Sequence, residues 1–134
     1  MAGDRLGEIT GQWLEKAGRD LAIVERDTNQ TDPITDVLCF HCQQAAEKYL
    51  KAFLVSHLIK PPRDHNIKTL IDLCAEIDVG FTGLNDTAYL SDYAVDVRYP
   101  DDFYIPSVEE LRTALEDARR IRSFVMARIP LRKE

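Results

Sequence analysis

The stretch "HCQQAAEKYLKA", residues 41–52, lies in a segment without Gly or Pro that extends from residue 34 to residue 60. Apolar residues recur through it at three- and four-residue steps, for example Leu38, Ala46, Leu50 and Phe53. This spacing places them on one face of an α-helix. The segment therefore predicts a helix from about residue 33 to about residue 58, the longest in the chain, with Asp32 as N-cap and Pro33 in the first turn.

Four further segments are also predicted to be helical. Apolar residues at helical spacing cover residues 10–28, 67–77 and 107–125, and Ser107 and Glu110 match a capping box. The fourth segment has small and apolar residues at α-helical steps: Leu84, Ala88, Ser91 and Val95. No segment shows the alternation typical of a strand. We therefore expect one all-α domain over residues 1–134, an up-and-down bundle of four to five helices.

Composition and charge narrow the classes of function. The chain has 134 residues and a net charge of −6. No apolar run approaches the ~20 residues of a membrane span, and the N-terminus lacks the apolar core of a signal peptide. We expect a cytoplasmic protein with no membrane contact. An acidic protein repels nucleic acid at long range, so we expect no DNA binding, and RNA would have to contact the basic segments 48–68 and 112–134.

The chain has three cysteines, Cys39, Cys42 and Cys74. An odd number argues against a disulfide framework. The Cys39-x-x-Cys42 spacing suits a metal or redox site, but it also places both thiols on the apolar face of the predicted helix. No second pair follows, and a structural zinc needs four ligands. Core packing is therefore favoured over a metal site, and we expect neither a metal nor a cofactor.

Four polar residues lie opposite the apolar face of the same helix, at steps of three, four and three. This polar row consists of His41, Gln44, Lys48 and Lys51. One interpretation is a solvated helix face. The other is a row that holds a phosphate or the carboxylates of another helix. Gln43 falls inside the apolar arc, so its amide must find hydrogen-bond partners within the fold.

Three stretches in order resemble the HEPN domain, a nucleotide-binding domain of higher eukaryotes and prokaryotes. They are "FHCQQAAEKYLKAFL" at residues 40–54, "PPRDHNIKTLI" at residues 61–71 and "VDVRYPDD" at residues 95–102. The resemblance implies a helical bundle that forms homodimers. It also implies pairing with a minimal nucleotidyltransferase, as toxin with antitoxin. On this basis we expect the residues that bind a nucleotide, RNA or a partner to be His41, Gln44, Glu47, Lys48, Lys51, His65, Arg98 and Tyr99.

Many proteins of the HEPN family are metal-independent ribonucleases whose motif is Arg followed, after four to six residues, by His. Here the positions five to seven after Arg98 are Phe103, Tyr104 and Ile105, and every histidine of the chain precedes Arg98. We therefore expect weak or no ribonuclease activity, with Arg98 as the candidate catalytic residue or as part of a structural salt bridge.

Three hypotheses stay open at this point. The protein is a dimeric module that binds a nucleotide or a partner, a ribonuclease with an atypical catalytic set, or a structural helical protein. The last of these predicts that every polar residue named above is satisfied within one chain.

Overall fold

The computed structural model describes residues 2–94 and 104–130, with side chains from residue 6 onward. Within these ranges the chain forms four α-helices and one 3₁₀-helix, and no strand. The elements are α1 (Ala2–Asp27), α2 (Thr35–Ser56), α3 (Ile67–Ile77), the 3₁₀-helix Val79–Tyr93, and α4 (Val108–Met126). The all-α prediction is confirmed. No helix of the described ranges combines the length and the apolar character that crossing a bilayer requires.

Helix α2 is the central element, since it packs against α1, α3, the 3₁₀-helix and α4. Of its 22 residues, 14 are buried, so it is covered on more than its apolar face. The longest helix is α1, with 26 residues, and the prediction that the second helix is longest was wrong. Glycines such as Gly7 and Gly11 lower the helix propensity of the first turns of α1 and interrupt the apolar pattern there.

The start of α2 differs from the prediction. Its N-cap is Ile34, which makes no side-chain cap hydrogen bond, whereas the predicted N-cap Asp32 lies two residues earlier with a φ of 58°. Pro33 precedes the helix instead of lying in its first turn. The hydroxyl of Thr35 donates a hydrogen bond of 2.6 Å to the carbonyl of Pro106, just before α4. A contact distant in sequence therefore fixes this end of α2.

The segment predicted as the fourth α-helix is a 3₁₀-helix. Its buried residues recur at every third position: Phe81, Leu84, Thr87, Leu90 and Tyr93. This is the period of a 3₁₀-helix, which has three residues per turn. The Thr87 hydroxyl donates to the Leu84 carbonyl three residues earlier, at 2.6 Å. The predicted α-helical register through Ala88 and Ser91 was therefore wrong, and Val95 lies outside the described residues.

The ends of α3 and α4 follow local rules. The Asn66 side chain caps α3 by accepting from the backbone of Thr69, and the Ser107 side chain caps α4 by accepting from the backbone of Glu110. The Glu110 carboxylate accepts hydrogen bonds from the hydroxyls of Tyr93 and Tyr104. The first half of the predicted capping box is thus present, while the Glu110 side chain ties the 3₁₀-helix to α4.

Candidate functional site

The polar row of α2 faces α1. Nδ1 of His41 lies 2.9 Å from Oδ1 of Asp20, and Nζ of Lys48 donates to Oδ2 of the same carboxylate at 2.6 Å. About three quarters of the His41 side chain and of the Lys48 side chain is buried. For His41 and Lys48, the interpretation that fits is contact with the carboxylate of another helix.

Lys51 is buried, which the prediction of a row opposite the core did not anticipate. Its Nζ donates to Oε2 of Glu47 at 2.9 Å, and the two side chains are only 8% and 6% exposed. The same Nζ lies 5.9 Å from the ring centroid of Trp13 on α1. Packing of α1 over this side of α2 therefore removes the ion pair from water.

Glu47 is the centre of a hydrogen-bond network. Its Oε1 accepts from Nε2 of Gln43 at 3.0 Å and lies 2.9 Å from Nδ1 of His65. Gln43 also donates to the His65 carbonyl at 3.1 Å and accepts from Nε2 of Gln44 at 2.7 Å. The prediction that buried Gln43 finds partners in the fold is confirmed.

The environment of Glu47 acts on its pKa in two directions. Burial raises the pKa of this carboxyl, whereas the ion pair with Lys51 and the hydrogen bonds from Gln43 and His65 lower it. The lowering contacts prevail, so the pKa lies below its usual range. The network thus holds a buried carboxylate in its charged form and links α2 to the loop before α3.

The three histidines of the chain are placed differently. In His41 and His65 a carboxylate engages Nδ1, which leaves Nε2 as the nitrogen able to exchange a proton or bind a ligand. His65 is the more accessible, with 56% of its side chain exposed. The His57 ring packs on Phe53 at 4.6 Å between centroids.

The three cysteines are free and buried, as the core-packing interpretation predicted. Burial raises the pKa of Cys39 and of Cys74 to about 12, and it raises the pKa of Cys42 as well. Thiols in this state react poorly, because the thiolate is the reactive form. Among the described residues, no group of three or more His, Cys, Asp or Glu is arranged to hold a metal ion.

Arg98 and Tyr99, the other two residues expected to bind, lie outside the described residues. One described contact on the N-terminal side of these residues involves Ser91 in the last turn of the 3₁₀-helix. Its Oγ accepts from the backbone N–H of Ile67 at 2.7 Å. The end of the 3₁₀-helix therefore lies beside Ile67, the first residue of α3. Ile67 follows His65 by two residues.

Asp20 and Trp13 are the residues of this site that the sequence reasoning missed. The sequence does contain a signal for Asp20. It stands three residues after Ala17 and four before Val24, both fully buried, so a carboxylate falls inside the apolar stripe of α1. A charged residue in such a position needs a partner, and charged residues are rarely buried without one.

Large apolar side chains are also exposed, and most of them lie in two places. One is the turn between α1 and α2, with Ile23, Ile34 and Val37, and the other is the start of α4, with Tyr104, Ile105 and Val108. Contiguous exposed apolar surface commonly marks an interaction site.

Comparison with known proteins identifies the family. The family model described as the HEPN domain matches residues 10–129. The chain belongs to the HEPN domain family. No curated protein matches it.

Two solved structures share this HEPN fold. TT1696 from Thermus thermophilus is 29% identical, with a TM-score of 0.73 over 88% of this chain and 96% of that chain. ST0689, an archaeal HEPN homologue, is 24% identical, with a TM-score of 0.71 over 90% of this chain and 98% of that chain. The similarity to ST0689 shows the fold alone.

Proposed function

We propose that this HEPN protein functions by binding. Two copies associate as a homodimer, and the dimer is one half of a two-component system whose other half is a minimal nucleotidyltransferase. The observation that carries dimerisation is the apolar surface at the start of α4, where Tyr104, Ile105 and Val108 are exposed within five residues. We call these three residues the α4 face.

Neighbouring contacts hold the α4 face in position. Pro106 is buried between its members, and the Pro106 carbonyl accepts the hydrogen bond from Thr35. The Tyr104 hydroxyl donates to Glu110, so its ring is tied to α4. A surface that is ordered before association loses less conformational entropy when it binds. This favours the α4 face as a contact between copies.

Light scattering tests the homodimer. The parent protein at micromolar concentration is expected at about twice the chain mass of 15.3 kDa. Ile105→Asp places a charge in the α4 face and is expected to yield the monomer. The matched control is Val79→Asp, because Val79 is 76% exposed at the start of the 3₁₀-helix. A parent monomer at high concentration, or a dimer that survives Ile105→Asp, contradicts the proposal.

The ligand part of the proposal concerns the exposed end of the polar row. His41 and Lys48 each keep about a quarter of their side-chain surface accessible. A phosphate of a nucleotide, or a carboxylate of the partner, would reach them by competing with Asp20. Calorimetry with ATP should show weaker binding by Lys48→Gln and unchanged binding by Lys60→Gln, an exposed lysine in the next loop. Equal affinities of the two variants would remove the row from the proposed site.

A metal-independent ribonuclease is the second candidate function, and His65 is the residue that favours it. Glu47 engages Nδ1, and the half-exposed ring keeps Nε2 for a general acid–base role. Arg98 enters this candidate from the sequence alone. The test is cleavage of single-stranded RNA in chelator, with Arg98→Ala and His65→Ala beside His57→Ala. Cleavage lost in the first two variants and kept in the third would establish the ribonuclease; absence of cleavage in the parent would exclude it.

A further inference from the structure

A pocket of about 260 Å³ lies between the end of α1 and the start of α2. Buried Leu38 contributes to it, together with the exposed aliphatic side chains of Ile23, Ile34 and Val37. Ile34 is 67% exposed, although it stands directly before a helix that is buried on most sides. Apolar atoms of this kind lose contact with water only when another molecule covers them.

The pocket is separate from the α4 face. Thr35 points toward Pro106 and α4. Successive residues of a helix are turned by about 100°, so Ile34 and Val37 lie roughly 100° and 160° around α2 from Thr35. They face the end of α1. The two apolar surfaces therefore point in different directions and can bind different molecules at the same time.

The size of the pocket is enough for one or two protein side chains. Pockets that bind small ligands usually enclose roughly 300–1,000 Å³. This pocket is smaller and is lined mainly by aliphatic groups, so it suits one or two aliphatic side chains of a partner.

The charged side chains that line the pocket are acidic. Asp27 and Asp32 line it, and among the described residues that line it there is no Lys or Arg. Asp36 is exposed in the first turn of α2 beside it. An apolar side chain that enters the pocket is therefore placed next to carboxylates, which attract a cation at close range.

A two-fold contact between the pockets of two copies is a poor fit. A two-fold contact from pocket to pocket would bring Asp27 and Asp32 against the same carboxylates of the other copy. Three arginines near the C-terminal end of the described chain are engaged with carboxylates of their own chain: Arg119 with Glu25 at 2.7 Å, Arg120 with Asp86 at 2.8 Å and Arg128 with Asp78 at 2.9 Å. The acidic lining instead matches a molecule that places cations beside aliphatic side chains.

We infer that this pocket docks a segment of a second protein in which aliphatic side chains are flanked by Lys or Arg. The inference deepens the proposed function and rests on it, because it gives the recognition chemistry of the second component. Aliphatic groups enter the pocket beside Val37, and the cations contact Asp27 and Asp32. Dimerisation through the α4 face proceeds independently.

The experiment uses the full chain and two labelled helical peptides. Both contain Leu at three- and four-residue steps, one with Lys and the other with Glu at the remaining positions. Fluorescence anisotropy should detect binding of the Leu/Lys peptide and none of the Leu/Glu peptide. Val37→Asp is the informative variant, because it removes an apolar contact and adds a negative charge. Apolar docking predicts binding weakened about tenfold, whereas attraction by charge alone predicts tighter binding.

Two controls complete the test. Val79→Asp adds the same charge at another exposed valine and should keep the affinity of the parent. The double variant Asp27→Asn with Asp32→Asn should weaken binding at low salt and differ little from the parent at high salt. Asn tolerates the positive φ of residue 32, so the turn is preserved.

Unchanged or tighter binding by Val37→Asp overturns the inference. The inference is also overturned if Val37→Asp makes the protein monomeric while the peptide still binds. The pocket would then be a contact between two copies of the chain. The proposed function fails on a different readout, the mass of the parent protein and of Ile105→Asp.

Discussion

Replacement of Lys51 by Met is expected to destabilise the fold strongly. The substitution keeps an unbranched side chain beside Trp13 but removes the cation that pairs with Glu47. Glu47 is only 6% exposed in its side chain, so its carboxylate would stay buried with the neutral Gln43 amide and His65 as its remaining neighbours. Loss of one partner from a buried ion pair typically costs about 3–5 kcal/mol. For a chain of this length that lowers Tm by roughly 10 °C or more.

The stability lost in Lys51→Met should depend on pH, and the direction of that dependence follows from the pKa of Glu47. In the parent protein the pKa of Glu47 is lower in the folded state than in the unfolded state. Glu47 therefore contributes stability that is fully present above the unfolded-state pKa, near 4.3. This stability is lost as the pH falls through the folded-state pKa. In Lys51→Met, burial still raises this pKa while the ion pair no longer lowers it. The difference in stability between the two proteins should therefore be smaller at pH 3 than at pH 7.

The assay is urea unfolding from pH 3 to pH 7, with every protein at the same chain concentration because dimerisation adds to apparent stability. The matched control is Lys68→Met. Lys68 pairs with Asp72 at the same four-residue spacing, but both side chains are at least half exposed. This pair should contribute no more than about 1 kcal/mol. Glu47→Gln added to Lys51→Met should restore part of the loss, because no buried charge then remains.

The burial argument is refuted if Lys51→Met and Lys68→Met lose the same small amount of stability. It is also refuted if the loss in Lys51→Met is the same at pH 3 and pH 7.

Three further outcomes are expected. Asp20→Asn leaves Lys48 without its carboxylate and should cost about 1–3 kcal/mol in thermal unfolding, whereas Asp72→Asn, in an exposed pair, should cost less than about 1 kcal/mol. Thr35→Val removes the donor to the Pro106 carbonyl and should cost about 1 kcal/mol in urea unfolding; no loss would show that this contact does not fix the start of α2. The three thiols should react slowly with a disulfide reagent at pH 8 in the native protein and rapidly in urea, because burial raises their pKa, and fast native reaction would contradict their burial.

The sequence by itself determined the helical segments and most of the core. Apolar spacing on α2, α3 and α4 places Leu50, Ile71 and Ile121 inside, and all three are fully buried. It also determined the cap at Ser107 and the need of Gln43 for partners. These features depend on a residue and its near neighbours along one helix, and periodicity reports that relation directly.

Tertiary structure decided what covers the other side of α2. A helical wheel shows that Lys48 and Lys51 lie away from the apolar stripe, but it contains no information on whether water or another helix lies there. Here α1 covers this side, and the partner of Lys48 is Asp20, 28 residues away along the chain.

Tertiary contacts also decided the 3₁₀ geometry of Val79–Tyr93 and the first residue of α2. The sequence contains both the three-residue spacing of a 3₁₀-helix and the 3.6-residue spacing of an α-helix. Small differences in packing therefore decide which of the two helices forms. Leu84 serves either pattern, whereas Thr87 and Leu90 fit the first and Ala88 and Ser91 the second. Burial of Phe81 and Tyr93 at the two ends of the three-residue repeat is what the tertiary structure adds, and it selects the tighter helix.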